Sequence, residues 1–111
     1  MARTDRTRGP LGDYVHGTLD KDALTELVAA ADVVIEARGT FCPEPVIRTQ
    51  NSVAVMKVGE VAMVLADDAG LEIDLPAWCI STRNEYLGVI REEKFLRAFV
   101  RRARPADPAS R

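Results

Sequence analysis

The chain has 111 residues, 47% of them hydrophobic and 29% charged, with 15 basic against 17 acidic side chains, two cysteines and one histidine. This is enough for one modest domain with tails but not for two independent cores, and no apolar run reaches the roughly 20 residues that cross a membrane. Two cysteines are too few for a disulfide scaffold, and no group of Cys, His and carboxylates has zinc-site spacing, so neither a stapled secreted fold nor a metal protein is expected.

Residues 1–17 carry Gly9, Pro10, Gly12 and Gly17 without hydrophobic periodicity and are expected to be flexible; the single histidine, His16, falls there. The Arg-studded start has no apolar segment of the kind a signal peptide needs, which leads us to expect a cytoplasmic protein. A helix is predicted over about 20–31: Asp20 can cap it, Leu19 and Leu24 stand at the spacing of a hydrophobic staple, and Leu24, Leu27, Val28 and Ala31 form one apolar stripe.

From residue 32 the pattern alternates. A strand is expected at about 32–37, a helix at 43–56 with Val46, Ile47, Val53, Ala54 and Met56 toward the core, and a buried strand at 61–66. Gly59 suits the left-handed residue that closes many helices. A second helix is predicted over 74–82, with Asp74 as its cap and Pro76 in its first turn; a start any earlier would put Pro76 inside the helix, where it must kink it. Strands at 86–91 and 94–102 complete the order, joined at Glu92-Glu93.

The expected architecture is therefore α+β, a two-layer α/β sandwich of βαβαββ order. It has a four-stranded mixed sheet with two helices on one face, because right-handed crossovers place both helices together. The N-terminal helix is additional. Alternation along the last strand sends Leu96, Ala98 and Val100 to one face and Phe95, Arg97, Phe99 and Arg101 to the other. Two phenylalanines on an open face call for a cover, either the helix of residues 20–31 or a second copy of the chain in a homodimer. Residues 1–31 thus read as an N-terminal extension, 32–103 as the domain and 104–111 as a flexible basic tail. Residues 32–96 hold 11 acidic and 6 basic side chains, which argues against direct nucleic-acid binding.

The chemistry concentrates in Gly39-Thr40-Phe41-Cys42-Pro43-Glu44-Pro45. Gly39 can supply the positive φ of a tight strand-to-helix turn, and Pro43 and Pro45 fit only the opening turn of a helix. Cys42 then lies at or beside the N-cap, where free N–H groups and the positive end of the helix dipole favour a thiolate, the nucleophilic form. Glu44 is open to two readings, a general base two residues from Cys42 or an acidic residue placed by the dipole. Arg48 can pair with Glu44 or face an anionic sulfur group. Asp67 and Asp68 read as turn and capping residues. Cys79, beside Trp78 in an apolar stretch, reads as a core thiol, with a secondary reactive thiol as the alternative. No histidine stands where it would make a Cys-His dyad, which weakens a hydrolase reading.

The stretch from Gly39 to Pro45 resembles the Gly-Leu-x-Cys-Pro-x-Pro signature of the TusA/SirA family of small sulfur carriers. Gly59-Glu60, Ala66-Asp67-Asp68 and Asp74-Leu75-Pro76-Ala77-Trp78-Cys79 resemble later landmarks of that family in order and spacing. The likeness covers about residues 32–103. It departs at Thr40, where the family usually has leucine, at the N-terminal extension, and at Gln50-Asn51-Ser52. It implies that Cys42 accepts sulfur as a persulfide from a donor protein such as a cysteine desulfurase or a rhodanese-like protein. The sulfur then passes to an acceptor in tRNA thiolation, cofactor assembly or sulfur oxidation, without a cofactor. Two other classes stay open: a regulatory or interaction module in which Cys42 is dispensable, and a redox protein pairing Cys42 with Cys79, which requires Cα atoms within about 7 Å.

Overall fold

The computed structural model describes residues 19–103. Their elements, in chain order, are α1 (Lys21–Ala30), β1 (Val33–Glu36), α2 (Glu44–Val53), β2 (Val61–Ala66), α3 (Leu71–Thr82), β3 (Glu85–Arg91) and β4 (Leu96–Arg101). The expectations for residues 1–17 and 104–111, including His16, lie outside the described residues. No helix among the described residues is long and apolar enough to cross a membrane.

The sheet order is β1-β2-β4-β3. β1 runs parallel to β2 with Val33 opposite Ala62, and β4 is antiparallel to both neighbours, Val61 facing Arg101 on one side and Glu85 facing Arg101 on the other. The sheet is therefore mixed, as expected. β3 runs in the direction of β2 with β4 between them, so the second crossover skips one strand. A bulge between Tyr86 and Gly88 inserts Leu87 into the β3 ladder.

Both faces of the sheet are covered. On one, Ile35, Ala62, Val64, Ala66, Val89, Leu96, Ala98 and Val100 pack against Val53 and Met56 beneath α2 and against Leu71, Leu75 and Cys79 of α3. On the other, Val61, Met63, Leu65, Leu87, Ile90 and Phe99 form a second core with Leu24 of α1, flanked by Leu19, Leu27, Val28 and Ala31. Phe99 and Leu24 are both wholly buried. The staple spacing and the apolar stripe of residues 19–31 thus end where the alternation of β4 requires a cover. Asp20 accepts the Ala23 amide at 3.0 Å as the N-cap, and the Leu19 amide donates to the Leu87 carbonyl at the bulge, also at 3.0 Å. An interaction module built on an open sheet face loses that face to α1.

Two helix expectations need correction. α2 ends at Val53 and is followed by turns through Met56; its buried residues are Pro45, Thr49 and Val53. Ile47 and Ala54 face solvent instead of the core. Val53 and Met56 are buried as predicted and Val46 is packed against the core, while Pro45 and Thr49 are buried in addition; Thr49 tolerates full burial because its hydroxyl donates to the Pro45 carbonyl at 2.8 Å. α3 begins at Leu71, not Asp74, behind Gly70 at the N-cap. Leu71, Leu75 and Cys79 are its buried stripe, four residues apart, so burial of Leu71 extends the helix one turn earlier. Pro76 consequently stands inside it, and Asp74 belongs to its first turn.

Candidate functional site

The loop from Ala37 to Pro43 leaves the end of β1 beside the end of β2, and the ladder holds its first residue, whose amide donates to the Leu65 carbonyl at 2.8 Å. Gly39 follows with φ +85°, a value that disfavours residues with a Cβ. Thr40 then donates from its hydroxyl to the Ala37 carbonyl at 2.7 Å, closing the turn. A leucine at this position would lack that bond, which gives the departure at Thr40 a local use.

Cys42 is exposed and lies one residue before Pro43, the N-cap of α2, with Pro45 in the first turn. Pro45 therefore stands in the opening turn as the sequence implied, while Pro43 lies one place before the helix, at the N-cap. The Glu44 amide donates back to the Phe41 carbonyl at 2.8 Å, and Phe41 itself is 80% exposed beside the thiol.

What holds the loop comes from another part of the chain. The Gly39 amide donates to both carboxylate oxygens of Asp67, each at 3.1 Å, and the Cys42 amide donates to Oδ2 of Asp68 at 2.9 Å. The other oxygen of Asp68 accepts the Gly70 amide at 2.9 Å, at the head of α3. Asp68 is thus a turn residue, as its position indicates, though the N-cap of α3 is Gly70, and it also ties the Cys42 loop to the β2–α3 turn. These two amides hold its carboxyl below the usual range, Gly70 first and Cys42 second.

The sulfur has a partner of its own. Sγ of Cys42 donates to Oδ2 of Asp74, in the first turn of α3, at 3.1 Å. This reverses the expected electrostatics. The hydrogen bond to Asp74, then desolvation, then the charges of Asp74 and Asp68 push the Cys42 thiol above its ordinary value, where the helix dipole alone would lower it. The sequence shows Asp74 only as a cap; its contact with Cys42 spans 32 positions and no local pattern reveals it.

The remaining candidates separate. Glu44 engages Arg48 one turn along α2, with Nε to Oε2 at 2.9 Å, and Arg48 also donates to the Glu36 carbonyl at 2.7 Å. Of the two roles open to Arg48, pairing is the one seen, and Glu44 holds Arg48. Arg38 forks onto Glu36 at 2.8 and 2.7 Å and lies over the Phe95 ring, 4.9 Å from its centre. Cys79 is 1% exposed in the core between α3 and the sheet, and burial pushes its thiol up to about 12. The structure brings Gly39, Cys42, Pro43 and Pro45 together with Asp67, Asp68 and Asp74, and it leaves Cys79 behind the surface as a packing residue. Among the described residues no group of three or more His, Cys, Asp and Glu side chains has the geometry of a metal site.

The site is an exposed thiol on a strand-to-helix loop of a mixed four-stranded sheet that has two helices on one face and α1 on the other. Comparison with known proteins gives the family: the family model described as "Sulfurtransferase TusA" matches residues 33–102, and the chain belongs to that family. It is 42% identical over 72 residues to the Bacillus subtilis (strain 168) protein named "Putative sulfur carrier protein YrkF", a match covering 65% of this chain but only 39% of that protein. A protein of Archaeoglobus fulgidus named "Putative sulfur carrier protein" is 34% identical over 70 residues, covering 63% of this chain and 96% of the relative. The crystal structure of a SirA-like protein from Desulfitobacterium hafniense superposes with a TM-score of 0.57 at 22% identity, covering 65% of this chain and 99% of the other, and supports the fold. The family match begins at β1, so α1 lies outside it.

Proposed function

We propose that Cys42 carries sulfur as a persulfide, taken from a donor protein and passed to an acceptor. The observation that carries this reading is the exposure of a single thiol at the head of α2, on a loop that Asp67 and Asp68 hold from the other side of the site. In the forward step the Cys42 thiolate attacks the outer sulfur of a donor persulfide. A new S–S bond forms to Cys42, the donor's S–S bond breaks, and the donor thiolate leaves with the bonding pair. The second step repeats this with Cys42–S–SH as the donor and an acceptor thiolate as the attacking group. Sulfur moves between thiols of equal oxidation level, so the exchange needs no external oxidant. A cysteine desulfurase or a rhodanese-like protein has the chemistry of such a donor, and the sulfur is destined for tRNA thiolation, cofactor assembly or sulfur oxidation.

Intact-mass spectrometry after exposure to a persulfide donor tests this, with wild type beside Cys42→Ser and Cys79→Ser. Wild type and Cys79→Ser are expected to gain one sulfur atom that a reducing thiol removes, and Cys42→Ser none. Sulfur gained by Cys42→Ser, or by none of the three, would overturn the proposal.

A further inference from the structure

The elements meeting at Cys42 surround it with carboxylates. Asp74 comes from the first turn of α3, and Asp68 from the turn before it; Asp67, next to Asp68, holds Gly39. The cations on the Cys42 loop and one turn into α2 are already committed. Arg48 on α2 lies against Glu44 and the Glu36 carbonyl, and Arg38 on the Cys42 loop lies against Glu36. A thiolate formed here would face Asp74 across the 3.1 Å now spanned by the S–H···O hydrogen bond.

We infer that Asp74 is a positioning residue that holds the empty carrier's Cys42 in its protonated, unreactive form and acts on that form alone. This rests on the persulfide reading for its purpose but on the Cys42–Asp74 contact for its content. The neutral thiol has a proton to donate to Oδ2, and the thiolate has none, so ionisation replaces a hydrogen bond with the repulsion of two anions about one contact apart. Loading removes the donor as well: in Cys42–S–SH the Sγ atom is bonded to sulfur, and the proton-bearing atom lies about 2 Å farther out. Asp74 therefore restrains the thiol before sulfur arrives and has no hydrogen bond to accept from the inner sulfur afterwards. A donor that presents a cation to Asp74 relieves the restraint at the moment of transfer, and the proton leaves the sulfur for solvent or for a base on the donor.

The test is the pH dependence of Cys42 alkylation by iodoacetamide, followed by peptide mass, in wild type, Asp74→Asn and Asp74→Ala. Both variants are expected to titrate at lower pH. Thiolate fraction rises about tenfold per unit of fall while intrinsic nucleophilicity drops with a coefficient of about 0.4–0.5, so the neutral-pH rate should rise about threefold per unit. The alkaline plateau should fall. This crossing of the two profiles is the signature; unchanged profiles in variants whose circular dichroism matches wild type would overturn the inference. Wild type gives a second reading that needs no variant: the thiolate absorbance of Cys42 should develop at higher pH than in a peptide of residues 39–45, and a midpoint at or below the peptide's would also overturn it. No sulfur donor enters either measurement, so failure here is separable from failure of the mass experiment.

Discussion

Arg102 closes the C-terminal end of α2 from the far end of the chain: its Nη1 donates to the carbonyls of Val53 and Met56, at 2.6 and 2.9 Å, and the residue is only 7% exposed. The last carbonyls of a helix have no partner within it, and here a cation supplies one where the dipole favours positive charge. Arg102→Ala removes the side-chain donor from both carbonyls, of which Val53's keeps the Met56 amide at 3.1 Å, and should cost about 1–3 kcal/mol in urea unfolding. Arg102→Lys should recover part of that, since an ammonium keeps the charge without the planar fork.

Leu24 is the test of α1 as a structural layer. It is fully buried against Phe99 and its neighbours, and Leu24→Ala should lower stability by about 2–5 kcal/mol in chemical denaturation. Glu26→Gln, on the exposed side of the same helix, should stay within about 0.5 kcal/mol. Equal, small effects at both positions would mean that α1 contributes no core.

Gly39→Ala should be destabilising through the backbone alone. An added Cβ meets nothing within 4 Å, yet φ +85° is unfavourable for any residue that has one, at about 1–2 kcal/mol. Thermal unfolding measures the loss, and the Gly39–Asp67 bonds predict that sulfur uptake by Cys42 slows along with it.

Two pH limits follow from groups with displaced ionisation. The Cys79 thiol is neutral in the fold up to about 12, against an ordinary 9.0, because burial penalises the anion. Its folded value is raised, so its contribution is fully present below pH 9 and is lost as pH rises toward 12. Native Cys79 should resist alkylation at pH 8 and react once the protein is unfolded. Glu36 moves the other way: hydrogen bonds from the Arg38 side chain and amide lower it from 4.5 to about 2. Its contribution is present above 4.5 and lost as pH falls toward 2, and it should be small because the pair is solvent-exposed. Glu36→Gln should flatten the stability profile within that acid window.

Much of the frame was legible because it obeys period and propensity. The β-branched run of β1, the all-apolar β2 and the alternation of β4 each specify burial on a known face, and Gly39 with two prolines marks a strand-to-helix turn. The failures have physical causes. Pro76 and Asp74 together imitate a helix start, but burial of Leu71 pulled the beginning of α3 forward. Arg102 reads only as the last residue of a strand, because nothing in sequence announces that its side chain reaches the carbonyls of Val53 and Met56. The carboxylates around Cys42 were visible one by one, as turn and cap residues. Their convergence on the sulfur depends on how the β1–α2 loop and the β2–α3 turn lie side by side.

That side-by-side lacing also sets how the thiol can move. Gly39 and Cys42 are tied by their amides to Asp67 and Asp68, and Asp68 is tied in turn to Gly70. Moving either segment of this lacing strains the other, so swinging the reactive loop out toward a partner means breaking these bonds. Amide hydrogens of Gly39, Cys42 and Gly70 should exchange with solvent as a group, and a protein that opens one loop will find that it has opened both.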